Sequence, residues 1–68
     1  MTLTEREKQT LAFIMSYIEE NGEAPMLREI ASFLGVSKER ARQLVDHLAK
    51  KGLVKHEYHK VRSLEVLL

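Results

Sequence analysis

The sequence predicts a small α+β domain that is mostly helical, with three helices followed by a two-stranded β-hairpin. Three segments repeat apolar residues at helical spacing, and capping residues or glycines mark their ends. After Gly52 the pattern changes to the alternation of apolar and polar residues that is typical of short strands. Because 68 residues suffice for only one small core, we expect a single domain over residues 1–68.

The first predicted helix covers about residues 5–21. Thr4 and Glu7 have the spacing of a capping box, in which each side chain bonds an otherwise unpaired backbone N–H. Asn21 and Gly22 both tolerate the left-handed conformation that ends helices. The apolar stripe of this helix is formed by Leu11, Ile14 and Ile18. We also expect three aromatic side chains to be core residues, namely Phe13, Tyr17 and Phe33.

The second and third predicted helices cover about residues 27–34 and 38–51. Gly35 ends the second helix, and Ser37 is a favourable N-cap for the third. Each helix has apolar residues at i, i+3, i+4 and i+7, which are Leu27, Ile30, Ala31 and Leu34 in one and Ala41, Leu44, Val45 and Leu48 in the other. Two helices joined by a tight, glycine-containing turn have the sequence form of a helix-turn-helix.

The last segment, about residues 53–67, predicts a β-hairpin. Val54, His56 and Tyr58 alternate with Leu53, Lys55 and Glu57, and Leu64 and Val66 alternate with Ser63 and Glu65. We expect the turn near His59–Lys60, within about two residues, because the usual glycine or asparagine is missing there. Three helices followed by a hairpin are the element order of a winged helix-turn-helix.

The composition excludes several classes of protein. The chain has no cysteine, so it has neither disulfides nor thiolate metal sites. No apolar run approaches the roughly 20 residues that span a bilayer, and the charged N-terminus does not resemble a signal peptide. Three histidines, His47, His56 and His59, lack carboxylates at a suitable metal-binding spacing. We therefore expect a cytoplasmic protein with no metal, no cofactor and no membrane partner.

Charge is distributed unevenly between the two halves of the chain. Residues 1–34 carry three Lys or Arg and six Asp or Glu, whereas residues 35–68 carry eight and four. The net charges are therefore −3 and +4, although the whole chain has only +1. An excess of positive charge in one half favours a polyanion such as DNA as its partner.

The outer face of the third helix carries the residue types that read bases. Arg42 can donate two hydrogen bonds to guanine, and Gln43 can pair with adenine. Glu39 can accept a hydrogen bond from the amino group of cytosine or orient a neighbouring side chain. Ser37 and Lys38 are placed for phosphates at the helix N-terminus. The alternative is a solvated polar face of an amphipathic helix.

Further candidate contacts flank this helix. Arg28 lies at the start of the second helix, where a phosphate contact is common in this motif. A basic cluster lies in the hairpin and includes Lys55, His56, His59, Lys60 and Arg62. Such a wing can follow the DNA backbone or enter the minor groove, or it can be a solvated edge whose lysines discourage strand pairing. Lys50 and Lys51 are explained by the helix dipole.

Four sequence features follow one another along the chain: "FIMSYIEENG", then a proline, then "REIASFLG", and then a third helix that ends "LAKKG". In this order they resemble the N-terminal DNA-binding domain of LexA-type repressors. The resemblance covers nearly the whole chain and implies a winged helix-turn-helix that binds DNA. It implies that five positions face DNA, namely Ser37, Glu39, Arg40, Arg42 and Gln43.

The sequence departs from that family in three respects. Met26 stands where the family usually has Ser or Thr, so the second helix lacks a favourable N-cap. The predicted wing lacks the glycines that are common there. LexA-type repressors also contain a second domain with a Ser-Lys self-cleavage site and the dimer interface. We expect neither self-cleavage nor family-type dimerisation from these 68 residues.

These observations predict a sequence-specific double-stranded DNA-binding protein, either a transcriptional repressor or a regulator of a mobile element. Its helix 38–51 would read the major groove, and its wing would contact the backbone or the minor groove. The alternative is a winged-helix protein–protein interaction module of a replication or recombination system. No cysteine nucleophile, glycine-rich phosphate loop or Ser-His-Asp spacing indicates an enzyme, and we expect no small-molecule substrate. The sequence leaves open whether a homodimer or a protein partner is required.

Overall fold

The structure is a computed structural model that describes residues 2–57 and 64–67. Its elements are α1 (Glu5–Asn21), α2 (Leu27–Leu34), α3 (Lys38–Lys50), β1 (Val54–Lys55) and β2 (Glu65–Val66). The strands are antiparallel, with Val54 opposite Val66. This order confirms the predicted winged helix-turn-helix, and α3 ends one residue earlier than predicted. The predicted turn near His59–Lys60 lies outside the described residues.

The local contacts at the helix starts explain the boundaries. The predicted capping box is present in α1, since Thr4 Oγ1 accepts from the Glu7 N–H at 3.2 Å and Glu7 Oε1 accepts from the Thr4 N–H at 2.9 Å. Met26 provides no side-chain cap for α2, as expected. Glu29 Oε1 nevertheless accepts from the Met26 N–H at 2.7 Å. Half of a capping box therefore compensates in part for the missing hydroxyl.

The turn between α2 and α3 is fixed by backbone hydrogen bonds. Gly35 has a φ of 70°, a left-handed conformation that a side chain would strain. The Val36 N–H then donates to the Ala31 carbonyl at 3.0 Å, which closes the end of α2. Ser37 Oγ accepts from the Arg40 N–H at 3.0 Å and starts α3 at once. The orientation of α3 relative to α2 is thus determined within a few residues.

The core lies where the apolar stripes of the three helices meet. Its most completely buried aliphatic side chains are Ile14, Ile30, Leu44, Val45, Leu48 and Val54. Each of these contributes about 1.5–3 kcal/mol by leaving water. Val54 comes from β1, so the hairpin covers one side of the helical core, and Leu64 is also buried there. The hairpin is therefore held against α3 as part of one core.

The expectation that Phe33 is a core residue is wrong, because its side chain is 60% exposed. The buried stripe of α2 includes Ile30, Ala31 and Leu34, and Phe33 is rotated about 100° from Leu34 around the helix axis. Phe33 instead stacks on Phe13 of α1, with ring centroids 4.4 Å apart. The two rings therefore meet at the protein surface, between α1 and α2.

Candidate nucleic-acid interface

The outer face of α3 is formed by the residues that the sequence singled out. Its inner stripe, which includes Ala41 and Leu44, is buried against the rest of the core. The six candidate residues of this segment are all exposed: Ser37, Lys38, Glu39, Arg40, Arg42 and Gln43. Because they occupy the first two turns of α3, their side chains form one continuous polar surface around the helix N-terminus.

The positions on this surface differ in their angle from the core. At about 100° per residue, Glu39 and Gln43 lie opposite the buried stripe and form a central ridge. Arg40 and Arg42 lie on opposite flanks, about 160° apart. The surface therefore consists of two hydrogen-bonding side chains with a guanidinium on either side.

Arg40 and Gln43 are in direct contact on one flank of the ridge. The Arg40 guanidinium donates to Gln43 Oε1 at 3.3 Å. This contact, which follows from the i,i+3 spacing on a helix, orients the Gln43 amide. Its NH₂ group and the second lone pair of Oε1 keep the capacity for one further donor–acceptor pair. The sequence interpretation named both residues but did not predict their contact.

The other flank of the ridge faces the hairpin. His56 follows β1 and is half-buried. Burial lowers the pKa of His56, the nearby Asp46 carboxylate opposes that shift, and the Arg42 guanidinium adds to it. Arg42 and Asp46 therefore lie on the side of α3 that is near the imidazole. The sequence placed His56 only in the basic hairpin cluster, since no local pattern reveals this proximity to α3.

The remaining candidates lie on elements that pack against α3 or outside the described residues. Arg28 is exposed in the first turn of α2, and Lys55 is exposed in β1. Both elements contact α3. Three candidates of the wing, His59, Lys60 and Arg62, lie outside the described residues. Arg28 and Lys55 thus lie on elements that pack against α3. The three wing candidates outside the described residues stay predictions.

The C-terminal end of α3 is attached to the start of α1 by a buried carboxylate. Lys51 Nζ donates to Glu7 Oε1 at 2.6 Å and to the Thr2 carbonyl at 3.2 Å. His47 Nδ1 lies 3.5 Å from Glu7 Oε2. Lys51 therefore does more than offset the helix dipole. Sequence reasoning missed this cluster because Glu7 is 40 positions from His47 and 44 positions from Lys51.

The described part of the chain contains no group of three or more His, Asp or Glu residues placed to hold a metal ion. None of the helices in residues 2–57 is long and apolar enough to cross a membrane.

Comparison with known proteins gives one family over most of the chain. The sequence model of the LexA DNA binding domain matches residues 1–63. The chain is 34% identical to a LexA repressor of Koribacter versatilis over 98% of its own length and 32% of the relative. It is 39% identical to one of Thermotoga petrophila and 41% identical to one of Nocardioides, over 94% and 97% of its length. The chain spans only about a third of these relatives or less, 27–32% of their length.

Proposed function

Because this chain belongs to the LexA DNA-binding domain family, we propose that it binds double-stranded DNA sequence-specifically and represses transcription. Its targets would be chromosomal genes or the genes of a mobile element. The observation that carries the proposal is the exposed polar surface on the first two turns of α3, directly after a tight helix-turn-helix turn. A recognition helix needs that combination, since the N-terminal residues of the second helix contact base edges.

Base reading is assigned to the ridge of α3 and its Arg42 flank. Arg42 donates to guanine O6 and N7, and Gln43 pairs with adenine N6 and N7. Glu39 accepts from cytosine N4. An acid on this surface does not attract phosphates, and its exposure in the first turn of α3, where it also suits the helix dipole, is compatible with base reading. Each good bidentate contact discriminates against the wrong base by about 1–3 kcal/mol.

Phosphate binding is assigned to the start of α3 and to the flanking elements. Ser37 Oγ already accepts from the Arg40 N–H, which leaves its hydroxyl proton for a phosphate oxygen. The positive end of the helix dipole behind Ser37 and the Lys38 ammonium group also attract a phosphate. Arg28 and Lys55 are exposed on the two elements beside α3. These contacts set the register of the protein on the duplex.

The size of the domain determines how tight such binding is. A single recognition module buries roughly 600–1,000 Å² of protein surface on DNA. We propose that a repressor of this size acts through two chains on one operator. The half-sites would then be separated by about one helical turn of DNA, 10–10.5 base pairs, or a multiple of it.

The test is selection of binding sites from a random duplex pool at physiological salt, with wild type, Arg42→Ala and Gln43→Ala compared. Wild type should enrich a defined motif, and each variant should lose the preference at one base pair of it. Lys50→Ala is the matched control for Arg42→Ala, because it removes one positive charge from the far end of α3. Enrichment of an identical motif by both variants, or of none by wild type, would contradict the proposal.

A further inference from the structure

A second surface lies between α1 and α2, away from the polar face of α3. It is an open groove of about 600 Å³. Its apolar wall is made by Phe13, Tyr17 and Phe33, and its ends by Arg6, Glu20 and Asn21. The proposed contacts of the protein with DNA use none of these residues, so the groove requires a separate explanation.

The aromatic wall is built from three packed rings, of which Phe33 is exposed and Phe13 and Tyr17 are half-buried. Phe13 and Phe33 are nearly parallel, with an interplanar angle of 17° and centroids 4.4 Å apart. Tyr17 lies against Phe13 with centroids 5.8 Å apart. Of the described large apolar side chains, Phe33 is the most exposed. Phe33 and the accessible parts of Phe13 and Tyr17 form one apolar patch rimmed by polar residues, and such patches mark interaction sites.

The end of the groove near the C-terminus of α1 is acidic. Glu19 and Glu20 lie in the last turns of α1, which carry no basic residue in the final turn. Glu29 of α2 accepts from the Tyr17 hydroxyl at 3.0 Å. Carboxylates at a helix C-terminus are unfavourable for the helix itself. Of these carboxylates Glu20 lines the groove, and the dipole of α1 adds partial negative charge at the same end, so this end favours a positively charged partner.

We propose that this groove is a docking site for a protein partner whose binding segment has an apolar anchor side chain flanked by Lys or Arg. The anchor packs against the Phe33 ring, and the basic residues face the Glu20 end. A second copy of this chain fits less well through the same surface. Arg6 is the only Lys or Arg among the described residues that line the groove, and its guanidinium already donates to the Leu34 carbonyl, so a second groove offers the Glu20 end no available cation.

The geometry of α2 keeps this groove separate from the proposed DNA contacts. Phe33 and Arg28 are five positions apart, which places them about 140° apart around the helix axis. The opposite end of the groove is closed by Arg6, whose guanidinium donates to the Leu34 carbonyl at 3.1 Å. A partner in the groove therefore leaves Arg28 and α3 accessible, and the protein binds partner and DNA at the same time.

The test is a display library of random 16-residue peptides, selected on wild type and counter-selected on Phe33→Ser. Selection should enrich peptides with a Leu, Phe or Trp anchor next to Lys or Arg. An enriched peptide, labelled with a fluorophore, should bind Phe33→Ser at least about tenfold more weakly, as on loss of a central anchor. Phe33 is exposed, so we expect this variant to fold, and circular dichroism verifies it. Ser16→Arg, which blocks the groove and retains the ring stack, should weaken binding equally.

Charge reversal separates the groove from general attraction to an acidic domain. Glu20→Lys should lower the affinity for the basic peptide. The matched control Glu65→Lys in β2 should change that affinity much less. Enrichment of acidic peptides, equal effects of the two reversals, or no enrichment at all would overturn the proposal. So would a wild-type dimer in sedimentation that Phe33→Ser converts to a monomer, because the occupant would then be a second copy. Loss of duplex binding by Phe33→Ser would assign the groove to DNA and overturn it too.

Discussion

Lys51 Nζ lies 2.6 Å from Glu7 Oε1, although the two residues are 44 positions apart. The Glu7 side chain is only 5% exposed, and the same carboxylate accepts from the Thr4 N–H. One side chain therefore completes the cap of α1 and binds the residue that follows α3. Through this ion pair the first helix positions the C-terminal end of the proposed recognition helix.

We expect Glu7→Gln and Lys51→Met each to lower the melting temperature, because each leaves a charged or polar partner in place without its counterpart. Lys50→Met is the matched control, since Lys50 is the neighbouring exposed lysine. Thermal unfolding of the two single variants and the double variant forms a double-mutant cycle. Additive losses would show that the pair is not coupled.

The Glu7–Lys51 pair also makes the stability of the fold depend on pH in the acidic range. The Lys51 hydrogen bond, with that of the Thr4 N–H, holds the pKa of Glu7 below its ordinary value of 4.5. The ionised Glu7 carboxylate therefore contributes fully to the free energy of unfolding above about pH 4.5. That contribution is lost as pH falls through the lower pKa that Glu7 has in the folded state. In urea titrations at decreasing pH, the free energy of unfolding should fall less for Glu7→Gln than for wild type.

A second pH dependence is expected from His56. Burial lowers the pKa of His56 below 6.5, the nearby Asp46 carboxylate raises it, and Arg42 lowers it. The folded state thus binds the proton more weakly than the unfolded state does, and stability falls as pH decreases below about 6.5. His56→Gln should reduce this slope between neutral and mildly acidic pH. An NMR titration of the His56 imidazole that gives a pKa above 6.5 would contradict the assignment.

Two adjacent residues of α1 test the position of the core. Ile14 is completely buried, whereas Met15 is 45% exposed. Ile14→Ala should lower the free energy of unfolding by about 2–5 kcal/mol. Met15→Ala should cost much less, within about 0.5 kcal/mol, because exposed positions rarely matter. Urea denaturation of both variants measures the difference, and equal losses would place the core elsewhere.

Ser37 has two roles that substitutions can separate. Its hydroxyl caps α3, so Ser37→Ala should cost about 1 kcal/mol of stability. Ser37→Asp retains a cap acceptor and should keep stability close to that of wild type, but its charge should repel a phosphate and weaken duplex binding. If Ser37→Asp bound the selected duplex as tightly as wild type, the proposal that Ser37 contacts a phosphate would be wrong.

The helices and their order followed from the sequence because their signals are local. The capping residues Thr4 and Ser37 and the turn glycine Gly35 predicted helix boundaries to within one residue. Phe33 was assigned wrongly because α2 has only eight residues, and its apolar stripe does not show which flank meets α1. The ring stack with Phe13 depends on the packing of two helices, which no periodicity within one helix reveals.

The candidate site was predicted as a set of residue types, and its geometry was not. Exposure of Arg42 and Gln43 follows from helical periodicity, whereas the nearness of His56 to Arg42 depends on how β1 folds back on α3. The contact between Lys51 and Glu7 likewise joins the two ends of the helical unit. Long-range contacts of this kind carry no local signal, and the contacts with DNA stay predictions.

The central claim is that Arg42 reads a base from α3. The most direct measurement is the affinity of wild type, Arg42→Ala and Lys50→Ala for the selected duplex and for the same duplex with the assigned guanine pair replaced. Arg42→Ala should bind the selected duplex roughly 5- to 150-fold more weakly than wild type does, the equivalent of 1–3 kcal/mol. It should also bind the two duplexes with equal affinity. Lys50→Ala should retain the full discrimination. Discrimination by Arg42→Ala equal to that of wild type would contradict the claim.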